Sequence, residues 1–201
     1  MDQWYTISTI TPAVIAGNYT SSNHLEVGEL TIKNDASVVF QSGHNLTVNG
    51  KLTVETGSNL TLDSNANLLQ TTNVANSGII SSKRNTAALK LLDYVLWSSP
   101  VTGQQLQSFS PSTLSNRFYT YNSGTNLYNA VTNPSVAVFV AGAGYLIRMP
   151  NDHPTTPTIW TGTFTGIPTN GAINLAVTNG AYNALGNPYP AAPIDDYLLW
   201  M

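Results

Sequence analysis

Three histidines and one adjacent carboxylate pair are the residues of this chain best suited to bind a metal or to move a proton. His24 and His44 precede similar segments, and His153 lies far along the chain. If the chain coils so that His24 and His44 share a corner, they form a pair, but a zinc site wants at least three protein ligands. Asp195 and Asp196 point to opposite faces of a strand, so they do not cooperate as acid and base. We therefore predict neither a metal site nor a catalytic carboxylate pair.

Nucleophilic and cofactor chemistry find little support in the remaining motifs. Ser98 and Ser99 follow Trp97, but the chain has no Gly-x-Ser-x-Gly elbow and no histidine at a recognisable spacing. Residues 142–144, Gly-Ala-Gly, are not followed by a helix-opening glycine, so a dinucleotide site is not expected. Lys83 and Arg84 form the only basic pair, which we interpret as part of a solvated turn. The sequence thus predicts a protein without catalytic residues or a cofactor.

Aromatic residues are the most suggestive binding candidates, because ring faces can stack on sugars while Asn, Ser and Thr bond hydroxyl groups. They concentrate in the second half of the chain. Four of them are the candidate ligand-binding residues: Trp97, Tyr145, Trp160 and Tyr189. The competing interpretation is that these rings pack in the core or in turns. Residues 186–190 predict a rigid turn, in which a cis peptide before Pro188 or Pro190 is an option.

The composition narrows the class of protein. Hydrophobic residues make up 42% of the 201 residues, enough for a core, but charged residues make up only 8%, against about 25% in typical domains. In their place stand 22 Asn, 18 Ser and 25 Thr. A net charge of −3 gives no electrostatic case for nucleic acid or an anionic membrane. No stretch approaches the roughly 18 apolar residues of a membrane span.

The absence of cysteine excludes disulfides and thiolate metal sites, and it fits bacterial proteins that leave the cell without oxidation. The first residues lack a basic region followed by an apolar run, so no signal peptide is predicted. Either the protein is cytosolic or the chain is a mature fragment with an added Met. The composition favours the fragment.

A repeat of 21 to 22 residues supplies the elements that would position all these groups. Residues 25–32 align with residues 46–54, residues 36–40 align with 58–62, and a third copy starts at residue 68. Each copy holds apolar-x-apolar triplets, which send two side chains to one face of a strand. Asn, Gly, Asp and Ser between the triplets favour turns. The pattern predicts that Leu30 stacks on Leu52, Val38 on Leu60 and Leu46 on Leu68.

We interpret this pattern as a short parallel β-helix with about 22 residues per coil. The alternative is an antiparallel meander, because residues 48–51, Val-Asn-Gly-Lys, resemble a hairpin turn. A meander does not explain why the triplets return in register.

After residue 68 the pattern changes, residues 78–81 are a candidate for one last coil strand, and the boundary lies near residues 82 to 90. The strand candidates that follow are separated by turns, which predicts an antiparallel β-sandwich or jelly roll that caps the coils. The predicted fold class is therefore all-β, with a solenoid region at residues 1–88 and a cap domain at 89–201, packed as one unit. One short turn of helix is expected between Leu106 and Leu114. Seven strands are expected: 92–97, 118–121, 136–140, 145–148, 158–164, 172–177 and 182–185.

Several segments resemble a known family. They are residues 66–70 (ANLLQ), 76–80 (NSGII), 83–86 (KRNT), 93–103 (DYVLWSSPVTG), 142–148 (GAGYLIR), 164–171 (FTGIPTNG) and 185–191 (LGNPYPA). Together they are similar to a run in large secreted surface proteins of the Bacteroidota, notably flavobacteria, and the resemblance covers about residues 13 to 201. In that family Ile-Asp usually follows the GNPYP motif directly, whereas here Ala192 and Pro193 intervene before Ile194.

The resemblance implies export by the type IX secretion system and an extracellular or outer-surface location. Family members usually end in a C-terminal sorting domain, whereas this chain stops at residue 201, so we expect a fragment of a longer protein. Adhesion is the usual suggestion for the family. We therefore expect a non-enzymatic structural or adhesion module, with the secretion machinery and surface glycans or other surface proteins as partners. A glycan-binding module is the alternative, and a polysaccharide-cleaving β-helix enzyme is the less favoured one.

Overall fold

The protein is all-β in the computed structural model, which describes residues 11–192. The first nine strands are short and lie in the repeat region. Their bounds are β1 Ala13–Ile15, β2 Tyr19–Thr20, β3 Leu25–Val27, β4 Leu30–Ile32, β5 Ser37–Phe40, β6 Asn45–Val48, β7 Leu52–Val54, β8 Asn59–Leu62 and β9 Asn67–Gln70. The later strands are β10 Ile80–Leu89, β11 Tyr94–Trp97, β12 Val101–Thr102, β13 Phe118–Asn122, β14 Leu127–Ala130, β15 Tyr145–Arg148 and β16 Thr158–Pro168.

The repeat region forms three parallel ladders, in which each strand pairs with the strand one repeat later. The ladders are β1-β4-β7, β2-β5-β8 and β3-β6-β9, and β10 continues the second one. The predicted stacking is confirmed: Leu30 pairs with Leu52, Val38 with Leu60 and Leu46 with Leu68. The hairpin expected of a meander does not form, because β6 and β7 belong to different sheets.

The alternating side chains of these strands face one apolar core. Burial alternates along β5 and β6, and the inward residues are almost wholly inaccessible to solvent. The buried set from this region is Val27, Leu30, Ile32, Ala36, Val38, Phe40, Leu46, Val48, Leu52, Val54, Leu60, Leu62, Ala66 and Leu68. Each fully buried Val, Leu, Ile or Phe side chain contributes about 1.5–3 kcal/mol on transfer from water, so the repeat pattern itself encodes the core.

Corners of the stacked region use the residue types that the sequence predicted for turns. Asn34, Asp35 and Asn65 adopt positive φ, as do Gly43 and Gly57. Side chains at the corners also accept hydrogen bonds from the neighbouring repeat: the Ala36 N–H donates to Ser58 Oγ, for example. The abundance of Asn and Ser is therefore explained in part by these bonds between repeats.

Strand β10 joins the parallel region to the antiparallel region. Ser81 and Ser82 at its start pair in parallel with β8, while the whole strand pairs antiparallel with β16, with an irregularity between Asn85 and Ala88. The division predicted at residue 88 therefore falls inside a continuous strand. Residues 82–85 are part of this strand, so the prediction of a solvated turn at Lys83 and Arg84 is wrong.

A four-stranded antiparallel sheet, ordered β11-β15-β13-β14, completes the second half. The predicted strands at 118–121 and 145–148 are confirmed, and those starting at residues 92 and 158 are confirmed with shifted bounds. The strands predicted at 136–140, 172–177 and 182–185 are wrong, since only isolated bridges occur at Val138 and Leu185. Strand β14 was not predicted, because its four residues are all exposed and show no alternation.

Helix is confined to short segments. The predicted helical turn is confirmed as α1, Leu106–Phe109, and a 3-10 turn spans Ser115–Arg117. No helix within residues 11–192 is long and apolar enough to cross a membrane.

Candidate functional site

An aromatic cluster occupies the core of the second half and contains three of the candidate residues, Trp97, Tyr145 and Trp160. The Trp97 ring lies 5.0 Å from Phe109 and 5.7 Å from Trp160 between ring centroids. Tyr145 lies 5.0 Å from Phe139. Trp97 and Tyr145 are 8% and 5% exposed, so their rings serve packing and offer little face to a ligand.

Two candidates, Trp160 and Tyr189, are half-buried. Trp160 sits on β16 at the edge of the aromatic cluster, and its backbone N–H donates to Thr86 Oγ1. Tyr189 donates its hydroxyl to the Gly171 carbonyl at 2.6 Å. The structure therefore places Trp97 and Tyr189 along one groove, while Tyr145 and Trp160 do not line it.

This groove has a volume of about 420 Å³, within the range of about 300–1,000 Å³ typical of ligand sites. It is open to solvent and lies between β10, the end of β11 and the segment around residue 189. Its lining residues are Arg84, Asn85, Thr86, Ala87, Val95, Leu96, Trp97, Ser98, Pro100, Gly186, Asn187, Tyr189 and Ala191. We call it the Arg84 groove.

Three sequence motifs that are distant in the chain meet at the Arg84 groove. The first is KRNT at residues 83–86, the second is WSSP at 97–100, and the third is GNPYPA at 186–191. Two close approaches hold the third motif in place. A Cβ on Gly186 would lie 2.2 Å from the Ser98 Cβ, and the Gly186 N–H donates to the Gly142 carbonyl at 3.0 Å.

The GNPYPA segment is rigid through its own hydrogen bonds. The Asn187 side chain donates to the Ala191 carbonyl and accepts from the Tyr189 N–H. The Pro190 carbonyl accepts from the Leu68 N–H at 2.8 Å, which ties the segment to the last repeat. The peptides before Pro188 and Pro190 are trans, so the cis option does not apply.

Arg84 is the only charged residue in the wall of the groove. Its Nη1 donates to the Lys83 carbonyl at 2.8 Å, while Nη2 is buried and has no partner among residues 11–192. Burial lowers the pKa of the Arg84 guanidinium from its ordinary value, yet a guanidinium remains charged at neutral pH. Ser98 Oγ, on the same groove, is likewise buried without a partner.

A second candidate surface is the solvent face of the four-stranded sheet. Directly paired residues share a face, and Leu96, Leu146 and Tyr119 are paired across three strands. The face also carries two pairs of rings: Tyr94 lies 6.0 Å from Tyr119, and Tyr121 lies 5.2 Å from Tyr128. Burial, with a contribution from Tyr119, raises the pKa of the Tyr94 phenol. We call these four residues the tyrosine face.

The histidines are engaged with nearby groups. His24 and His44 do share a corner, with ring centroids 6.1 Å apart. The Asn45 N–H donates to His24 Nδ1, His44 Nδ1 bonds Ser21 Oγ, and His153 Nε2 bonds the Leu89 carbonyl. Among the described residues, no group of three or more His, Asp or Glu side chains could hold a metal.

The remaining catalytic candidates do not assemble into a site in the part of the chain that the structure describes. Ser99 Oγ bonds the Val101 carbonyl at 2.7 Å, which closes a local turn. Ser98 has no histidine bonded to it. Asp195 and Asp196 lie outside the described residues.

Sequence analysis missed Arg84, because a basic pair in a polar stretch has the composition of a turn. The sequence Ile-Ser-Ser-Lys-Arg at residues 80–84 gives no clear signal for this strand, although buried and half-buried positions alternate over residues 80–83 in the structure. A strand there places Arg84 on the same face as Ser82, which is buried.

Comparison with known proteins gives one match. A family model described as "Domain of unknown function (DUF8693)" matches residues 3–198. A search of curated proteins and a search of solved structures returned no match.

Proposed function

The chain belongs to the DUF8693 family of domains of unknown function, and we propose that it is a non-enzymatic structural or adhesion module of an extracellular bacterial surface protein. In this proposal the first half is a short parallel β-helix and the second half is a β-sandwich-like cap. The observation that carries it is the path of β10, which extends a parallel ladder and pairs antiparallel with β16. This shared strand supports treating the parallel and antiparallel regions as one continuous unit.

The distribution of polar groups supports a structural role. Side chains one repeat apart bond each other: Asn67 donates to Asn45 Oδ1 at 2.8 Å, and Ser37 donates to Asn59 Oδ1 at 3.2 Å. These Asn and Ser side chains bond each other across repeats, whereas a binding surface would present such polar groups to a ligand. A lyase or hydrolase built on coils would need clustered acids and bases there, and among residues 11–192 no group of three or more His, Asp or Glu side chains could hold a metal ion.

The proposed location is the outer cell surface, with export by the type IX secretion machinery. Its support is the absence of cysteine, the low content of charged residues and the resemblance of the motifs at 93–103, 142–148 and 185–191. Surface glycans or other surface proteins are the proposed partners.

The test combines location and activity. Antibodies against residues 11–192 should label intact cells of the source bacterium, and protease treatment of intact cells should remove the label. The purified protein should release no reducing sugar from a panel of bacterial, plant and animal polysaccharides. Labelling only after lysis would refute the extracellular proposal, and turnover of any polysaccharide would refute the non-enzymatic one.

Adhesion needs its own test. Deleting the coding region for residues 11–192 from the gene of the parent protein should reduce attachment of the cells to glycan-coated or protein-coated surfaces. A matched strain carries a deletion of equal length elsewhere in the same protein. Equal attachment of the two strains would argue against an adhesive role.

Glycan binding is a second candidate function, favoured by the tyrosine face. Tyr128 is 46% exposed and Tyr94 is 37% exposed, and rings on a flat sheet can stack on sugars. Replacing Tyr94 and Tyr128 with Ala should lower retention of the protein on insoluble polysaccharides at least tenfold. Tyr182, 73% exposed and outside this sheet, is the matched control, and Tyr182→Ala should leave retention unchanged. Equal loss in both variants would exclude the tyrosine face.

A further inference from the structure

Arg84 carries a charge that no acidic group of the described chain neutralises. The Lys83–Asp63 pair, at 3.0 Å, is the single ion pair among residues 11–192. Arg84 bonds one carbonyl through Nη1, and its Nη2 has no acceptor there. A buried donor without an acceptor is costly, and the cost is larger when the group is charged.

A second donor without an acceptor lies on the same groove. Ser98 Oγ is buried and unbonded, although the next residue, Ser99, has its hydroxyl satisfied. Asn187 bonds within its own segment, and Thr86 Oγ1 accepts from the Trp160 N–H. The buried side-chain atoms of the groove wall that have no hydrogen-bond partner are thus Arg84 Nη2 and Ser98 Oγ.

We propose that the Arg84 groove binds the carboxylate of an acidic sugar, a uronic acid residue of a polysaccharide. Carboxylate oxygens accept two parallel bonds from a guanidinium, and Ser98 Oγ donates to the same group or to a neighbouring sugar oxygen. Since Arg84 Nη2 and Ser98 Oγ are both closed to water in this structure, binding includes a rotation of both side chains toward the groove.

The lining favours a single negative charge of carboxylate type. Arg84 is the one cation in the wall, whereas a phosphate or sulfate group, with more oxygens and more charge, is usually met by several donors. The volume of about 420 Å³ leaves room for a ring beside the carboxylate, and Trp97 and Tyr189 supply apolar wall. The choice of a carboxylate rests on the groove alone, and the choice of a sugar rests on the proposed extracellular location.

The test uses the purified chain and glucuronate as the probe. The titration is followed through the NMR signals of backbone amides and arginine side chains. Adding glucuronate should shift the resonances of Arg84, Ser98 and residues 186–189. Glucose, which has the same ring without the carboxylate, should give no shifts. Arg84→Gln should weaken glucuronate binding at least tenfold. The matched control is Lys51→Gln, which removes one positive charge from an exposed side chain outside the groove lining and should leave binding unchanged.

A second variant keeps the test independent of the folding of Arg84→Gln. Ser98→Ala retains the charge and should weaken glucuronate binding severalfold. Equal binding by Arg84→Gln and the parent chain, or equal shifts with glucose, would overturn the proposal. Equal affinity for acetate or for N-acetylglutamate would overturn the sugar while keeping the carboxylate. Because the titration uses purified protein, its failure leaves the surface-location test untouched.

Discussion

At the residue scale, two glycines with nearly the same backbone conformation have different surroundings. Gly43 has φ 84° and nothing within 4 Å of an added Cβ, whereas Gly78 has φ 90° and an added Cβ would lie 1.9 Å from the Val54 carbonyl oxygen. At Gly43 a side chain is therefore disfavoured only by the positive φ of the backbone. At Gly78 a side chain is disfavoured by the backbone conformation and also by the close approach of the Val54 backbone in the preceding repeat.

The pair allows the two effects to be separated by measurement. We expect Gly43→Ala to lower the free energy of unfolding by about 1–2 kcal/mol, the cost of a left-handed L-residue. Gly78→Ala should cost clearly more, because the Val54 backbone must move. Urea denaturation of both variants checks the difference, and equal losses would contradict the close approach at Gly78.

The candidate site was only partly predictable at this scale. Trp97 and Tyr189 were singled out because aromatic residues stand out in a sequence, and both line the groove. Arg84 was not, because its role depends on the strand that carries it and on residues 186–191, which lie about 100 positions away. The spacing of residues in the sequence cannot predict that these two distant segments lie side by side in the fold.

At the scale of elements, Asn76 links three parts of the fold. Its Oδ1 accepts from the Leu52 N–H and from the Gln70 side chain, and its Nδ2 donates to the Pro168 carbonyl at 3.0 Å. One side chain therefore covers the open edge of β7 and fastens it to the end of β16.

Replacing Asn76 with Ala should lower the free energy of unfolding by about 1–3 kcal/mol, because the Leu52 N–H loses a bonding partner. Asn73→Ala, at an exposed position three residues earlier, is the control and should change it by less than about 0.5 kcal/mol. Chemical denaturation gives both values. Similar losses in the two variants would mean that Asn76 acts as an ordinary loop residue.

The strands of the repeat were predictable and those of the second half less so, for one physical reason. From β3 to β9, paired residues of the repeat are 21 or 22 positions apart, so the pattern predicts the pairing. In the second half, a segment becomes a strand only where the fold brings a partner strand beside it, and no regular spacing in the sequence marks that partner. Residues 136–140 have strand-like composition, but Val138 meets only Gln105 across an isolated bridge.

At the scale of the whole molecule, the parallel and antiparallel regions share β10 and should unfold together. Leu60→Ala removes a fully buried side chain of the parallel region and should cost about 2–5 kcal/mol. Trp97 and Trp160 report on the other region, in a background with Trp4 and Trp200 replaced by Phe. We expect the tryptophan fluorescence midpoint in urea to fall together with the circular dichroism midpoint.

The control for this experiment is Leu127→Ala, at a side chain 62% exposed, which should leave both midpoints in place. If Leu60→Ala moved the circular dichroism midpoint and left the tryptophan midpoint unchanged, the two regions would be separate folding units.

The low content of charge predicts stability that is nearly independent of salt. The Lys83–Asp63 pair is about one-third exposed on each side, and such surface pairs contribute about 0–1 kcal/mol. Raising NaCl from about 0.05 to 0.5 M screens such pairs and should change the free energy of unfolding by less than about 0.5 kcal/mol. A larger decrease would reveal stabilising charge interactions beyond this pair.

The pairing of β10 with β16 has a mechanical consequence. These strands are antiparallel neighbours over residues 80–89 and 158–166. A pulling force directed along them loads their hydrogen bonds in shear, so that many bonds must break at once. A force directed across them peels the bonds one after another. Under the adhesive role proposed above, the protein would resist detachment best when the load runs along β10.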